Sequence, residues 1–188
     1  MSGAVVKKVE SLLPLSSRLE AEVSATVELI ESSWRSDIVW RGLSGEQITG
    51  EQVIEHLAAT FALLERAGWV RTWREAQTGG ASNPVDDLSE ASSVRQILRA
   101  AVWALKDFAG SGHGPMTFGY ALHRVGDTDS WSATSKVLEM VLKSRTGADY
   151  ANAASWAERR GRTWGDLREL AAVAAEVARR SGPEGVAA

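Results

Sequence analysis

Apolar residues in this chain recur three and four apart rather than two apart, which limits most of it to helices that each bury one stripe. The clearest stripes are Leu19, Val23, Val27 and Ile30, then Val53, Leu57, Phe61 and Leu64, and finally Leu167, Leu170, Ala174 and Val177. Each is long enough for three turns or more. The spacing predicts an all-α fold, a compact bundle of six or seven helices.

Caps and breakers place the ends. Val5, Val6, Val9, Leu12 and Leu13 suggest a short first helix that Pro14 ends or kinks. A second helix is expected from about residue 17 to near residue 34. Two overlapping capping-box patterns follow, Ser44 to Gln47 and Thr49 to Gln52, and they cannot both open one long helix. The simpler reading gives Ser44 a short turn and Thr49 the main helix, which Gly68 closes.

Alternation across Trp69 to Trp73 allows a short extended piece. Gly79, Gly80, Asn83 and Pro84 then mark a surface loop. Val94, Ile97, Leu98, Ala101, Leu105 and Phe108 predict a fourth helix. A glycine-rich connection with room for a helical turn comes next. A fifth helix carries Val137, Leu138, Val141 and Leu142, with Asp129 or Ser130 as its cap. A short sixth helix is expected over 149–159 and a last one over 164–180. These elements divide the chain into an amino-terminal helical arm (1–44), a helical core (45–180) and a loose tail (181–188).

Composition narrows the chemistry. With 188 residues, 44% hydrophobic and 24% charged, the chain suits one globular domain with a real core. Its net charge of -3 lacks the basic balance of proteins that hold nucleic acid by counterion release, so any such binding would be local. The absence of cysteine excludes disulfides, thiolate metal sites and cysteine nucleophiles. No secretory h-region or run of about 18 apolar residues is present, so a cytoplasmic protein with no membrane partner is expected.

Motifs for catalysis or cofactors are missing. In Gly110-Ser-Gly112-His-Gly114-Pro115 the third glycine of a dinucleotide loop is replaced by proline, and a helix rather than a strand is expected before it. His56, His113 and His123 do not pair at ligand spacing. Asp127 and Asp129 fit a helix start better than a calcium loop, and Asp86-Asp87 reads as a loop. No catalytic residue, cofactor or metal is assigned.

Eight tryptophans are many for this length, and several stand beside charge at helix ends. Large rings filling a small helical core explain them most simply; the alternative is that some anchor a partner, since Trp and Arg dominate interface hot spots. The stretch from Trp156 to Leu167, WAERRGRTWGDL, concentrates the question. Thr163 with Asp166 reads as the cap of the last helix, and Gly161 as the end of the helix before. Arg159 and Arg160 stand three and four residues after Trp156, near enough for a guanidinium to cover the indole. Arg162 has no partner nameable from sequence.

Trp156, Gly161, Arg162 and Thr163 also stand at the spacing of a W-N-D-x-x-G-R-T-like signature, with Asp166 and Leu167 in the helix that follows. Glu65-Arg66-Ala67-Gly68-Trp69 matches a helix end of the form E-R-x-G-W. On these residues the chain, from about residue 48 to 180, resembles a family of short helical proteins of actinobacteria and their phages, grouped as a domain of unknown function. Ala157 and Glu158 replace the family's usual Asn and Asp. The resemblance implies a compact helical fold and an actinobacterial or phage setting, and no activity.

The expected function is a non-enzymatic protein-binding or regulatory module. Trp156, Arg159, Arg160, Arg162 and Trp164 are its candidate contact residues, and the arm is a candidate dimerisation element. DNA binding by Arg159, Arg160 and Arg162 is the first alternative, and an unrecognised enzyme the second.

Overall fold

A computed structural model describes residues 16–33, 36–72, 74 and 114–185. The helix expected around Val5 to Leu13, Trp34, Trp73, the loop at Gly79 to Asp87, the helix carrying Val94 to Phe108 with Trp103, and Gly110 to His113 lie outside the described residues.

Among the described residues the architecture is helical, with no sheet. Seven helices follow in order: α1 (Ser17–Ser32), α2 (Ser36–Val39), α3 (Gly50–Ala67), α4 (Phe118–Arg124), α5 (Thr128–Thr146), α6 (Ala153–Ala157) and α7 (Trp164–Ser181). Each long helix forms because a stripe of apolar side chains can leave water together. In α7 the stripe is Leu167, Leu170, Ala171, Ala174, Val177 and Ala178; in α5 it is Val137, Leu138, Val141 and Leu142. α7 packs against α1, α3 and α5, and α5 also packs against α1 and α3, so these two form the centre of the bundle. The short helices α4 and α6 lean on each other and on α5.

Short polar side chains start the helices by taking up amide groups that have no partner in the first turn. Thr49 and Thr163 both form complete capping boxes, with Gln52 and Asp166 respectively. Asp127 caps α5, accepting from the amides of Asp129 at 2.9 Å and Ser130 at 2.8 Å. This corrects the expectation of Asp129 or Ser130: Gly126 turns the chain at φ +66, which leaves Asp127 in the extended conformation of a cap.

Asp129 instead reaches across to the 41–47 turn, accepting from the Ser44 amide at 2.8 Å and its hydroxyl at 2.7 Å. Ser44 therefore opens no helical turn of its own. The turn is closed by a bridge between Arg41 and Gln47 and by the Ile48 amide donating to the Trp40 carbonyl at 2.7 Å. A second isolated bridge joins Trp69 to Met116, where the short extended piece was expected.

Three boundaries differ from those read in the sequence. The described part of the expected arm belongs to the core, because Val23, Thr26 and Ile30 on α1 are buried against the bundle. These residues of the arm therefore face the bundle, while its apolar residues Val5 to Leu13 lie outside the described residues. The tail through residue 185 folds back on α3, where the Gly50 amide donates to the Pro183 carbonyl at 3.2 Å. α6 is shorter than expected, since Asn152 caps it late and Glu158 ends it early.

Candidate functional site

The Trp156 to Leu167 stretch proves to be a corner between α6 and α7. Trp156 is buried, at 4% exposure, while Arg159 and Arg160 stand in solvent. Because α6 ends at Ala157, Arg159 and Arg160 do not share a helix with the indole and do not cover it. Arg162 does: after Gly161 turns the chain at φ +85, its guanidinium comes back over the Trp156 ring, 4.1 Å from the centroid. Arg145 of α5 also approaches that ring, at 5.9 Å, and binds Glu22 of α1 through two hydrogen bonds at 2.6 and 3.1 Å. The corner thereby ties α1, α5, α6 and α7 together.

Trp164, the other candidate ring, is half-buried and packs on Phe61 at 5.2 Å and on Trp69 at 6.2 Å. With Leu64, Glu65 and Gly68 it lines a cleft of about 320 Å³. Trp40 is buried and Trp131 half-buried. All five described tryptophans thus have at least half their surface in the protein interior, which favours the core explanation for them.

The groups weighed for catalysis are occupied by structure. His56 is buried, and its Nε2 donates to the Leu122 carbonyl oxygen at 2.8 Å. Nδ1 is then the bare nitrogen; it is buried without a hydrogen-bond partner, against Gly126. Burial holds the imidazole below its ordinary pKa. The Ser130 hydroxyl and amide hold the Asp127 carboxyl below the usual range, and the Ser44 amide does the same for Asp129. Among the described residues no group of three or more His, Asp or Glu is placed to hold a metal ion, and no helix is long and apolar enough to cross a membrane.

A different surface gathers two partly buried charges. Lys136 and Glu139, one turn apart on α5, form a ridge with a cleft on either side. One cleft, about 280 Å³, is bounded by Leu43, Gly119, Leu122, Trp131, Asn152 and Ala154. The other, about 270 Å³, lies between the ridge and Ser33, Ile38, Val39 and Met140. Leu43 is 65% exposed and Ile38 is 42% exposed, so each cleft has a wet apolar lip.

The ridge residues are electrostatically unlike. Lys136 donates to the carbonyls of Ile38 at 3.2 Å and Arg41 at 2.6 Å. Burial nevertheless draws its pKa down. Burial pushes the Glu139 carboxyl up, against the opposing pull of the Lys143 ammonium and the Asn152 amide. Glu139 makes no ion pair within 4.0 Å among the described residues.

Sequence reasoning passed over this surface. A Lys and a Glu three residues apart on a helix look like an ordinary solvated pair. The visible signal was Leu43, an apolar residue set in the turn Gly42 to Gly45. No protein-family model, curated protein or solved structure matches the chain.

Proposed function

We propose that the chain is a non-enzymatic protein-binding or regulatory module that acts through protein–protein contacts. The contact face in this proposal is the α5 ridge with its two clefts, rather than the Trp156 corner. One observation carries it: two of the exposed large apolar side chains, Leu43 and Ile38, flank the same pair of partly buried charges, Lys136 and Glu139. Isolated apolar residues on a surface mean little, but apolar lips around recessed polar groups are how interfaces combine desolvation with orientation. Asp127, Asp129 and His56 are engaged in caps and packing, which further supports a module without catalysis.

The setting that goes with this reading is the actinobacterial or phage cytoplasm, on the motif residues at Trp156 to Thr163. Selection from a displayed library of random peptides tests the contact face. The wild-type chain should enrich a peptide family that Leu43→Asp loses at unchanged melting temperature. Enrichment that Leu43→Asp leaves intact removes the face from consideration.

A second reading has its own observation. Arg159 and Arg160 are exposed, and their guanidiniums make no ion pair among the described residues, as a local phosphate contact would require. Arg162 is engaged on Trp156, which leaves two cations of the expected three. Nucleic-acid binding here would weaken steeply with salt, and an electrophoretic shift absent at low salt removes it.

A further inference from the structure

We infer that the cleft between α4, α5 and α6 takes one cationic side chain, the guanidinium or ammonium of a basic segment of the partner, against the Glu139 carboxylate. This rests on the protein-binding reading above and names the chemistry of the partner.

Size is the first argument. At about 280 Å³ the cleft lies just below the roughly 300–1,000 Å³ of sites that enclose drug-sized ligands. It has room for one long side chain. Its narrowness is built in, because a Cβ on Gly119 would stand 2.7 Å from that of Ala154, which shows how closely α4 approaches α6.

Charge is the second argument. Among the residues lining the cleft, Glu139 is the acid and Lys136 the base. The Lys136 ammonium is directed away, into the carbonyls of Ile38 and Arg41. Glu139 has no ion pair within 4.0 Å among the described residues; Lys143, which shares the other cleft with it, and Lys136 act on it only from farther off, and the Asn152 amide is its hydrogen-bond partner. A carboxylate short of water and without a paired cation gains most from an incoming one. An anionic side chain would meet the Glu139 charge, which the two lysines offset only from beyond ion-pair distance, and an apolar one would strip its remaining water with no return.

The walls fit the rest of such a side chain. Leu43, Leu122 and Ala153 can line a methylene stem, which lysine and arginine bury while keeping their heads polar. The half-buried Trp131 ring offers an aromatic surface, which attracts a cation held over its face. Its ring already meets His123 edge-on at 5.0 Å, which fixes its plane. The hydroxyls of Ser132 and Ser135 supply acceptors for the donors of the head group that Glu139 does not take, while Asn152 stays engaged, its Oδ1 accepting from the Ser155 amide at 2.9 Å. The acidic balance of the whole chain, -3, favours the approach of a basic segment.

The test is a two-dimensional NMR titration of the full chain with three probes: N-acetyl-arginine amide, N-acetyl-lysine amide and N-acetyl-glutamate amide. The two cations should give saturable shifts at the Trp131 indole N–H and the Asn152 side-chain amide, and the glutamate derivative should not. Glu139→Gln, which keeps the shape and removes the charge, should weaken the response about tenfold, and Glu139→Asp less. The comparison of probes on the wild-type chain does not depend on how any variant folds. No shift with either cation, or an equal shift with the glutamate derivative, overturns the inference. If that happens while peptide selection still depends on Leu43, the cation assignment falls and the binding face stands. If selection fails as well, both fall.

Discussion

The Arg162 guanidinium lies 4.1 Å from the centre of the buried Trp156 ring, so the residue with no visible partner in the sequence is part of the architecture. A cation over an indole contributes about 1 kcal/mol or somewhat more where water is partly excluded. Arg162→Ala should therefore lower stability by about 1 kcal/mol, and Trp156→Ala by about 3–5 kcal/mol through the cavity it leaves. Arg159→Ala and Arg160→Ala, at exposed positions, should stay within about 0.5 kcal/mol of wild type. Urea unfolding of the four variants gives the ranking.

His56 should make stability fall in mild acid. Burial holds its folded pKa below the ordinary value of 6.5, so near pH 6 the unfolded chain binds more protons than the folded one. The contribution is complete above 6.5 and is lost as pH drops from there toward the folded pKa. Asp127, Asp129 and Asp166, all lowered from 3.8, give their stability above that value and lose it only below. Unfolding at pH 7, 6 and 5 should show a decline that His56→Gln flattens. An equal decline in the variant would assign the effect elsewhere.

The capping boxes predict a local cost. Thr163→Ala removes the acceptor for the Asp166 amide, held at 3.2 Å, and should destabilise by about 1 kcal/mol. Asp129→Asn acts differently, because its carboxylate holds the 41–47 turn through Ser44 at 2.7 and 2.8 Å. Hydrogen exchange at the Ser44 amide should quicken in that variant while the α7 amides keep their protection.

Gly182 and Gly50 meet backbone to backbone where the chain leaves α7 and enters α3. A Cβ at Gly182 would run into the Ala178 carbonyl oxygen and the Gly50 backbone, neither of which can rotate away. Gly182→Ala should cost about 1–3 kcal/mol, although its φ of -69 suits any residue. Glu184→Ala, exposed two residues on, is the control and should be neutral.

Local rules made much of the helical plan legible. The Thr49 box, the stripe Val53, Leu57 and Leu64, and the Thr163 start of α7 all follow from interactions within four residues. The Asp127 cap was missed because Gly126, at positive φ, decides where α5 begins, and that turn is packed against His56 of another helix. Partners distant in sequence were invisible for the same reason: Ser44 with Asp129, Arg145 with Glu22, and Lys136 with the carbonyls of Ile38 and Arg41. The candidate face depends on those distant pairings. The residues chosen for contact were selected by their types, Trp and Arg, and the corner they form consumes two of them.

The contact face can be read directly with a photo-crosslinking residue placed singly at positions 43, 38 and 160 in the cell of origin. Adducts to a protein partner from positions 43 and 38, with none from 160, are the predicted result. Adducts from position 160 alone would contradict the account and return the contact to the corner beside Trp156.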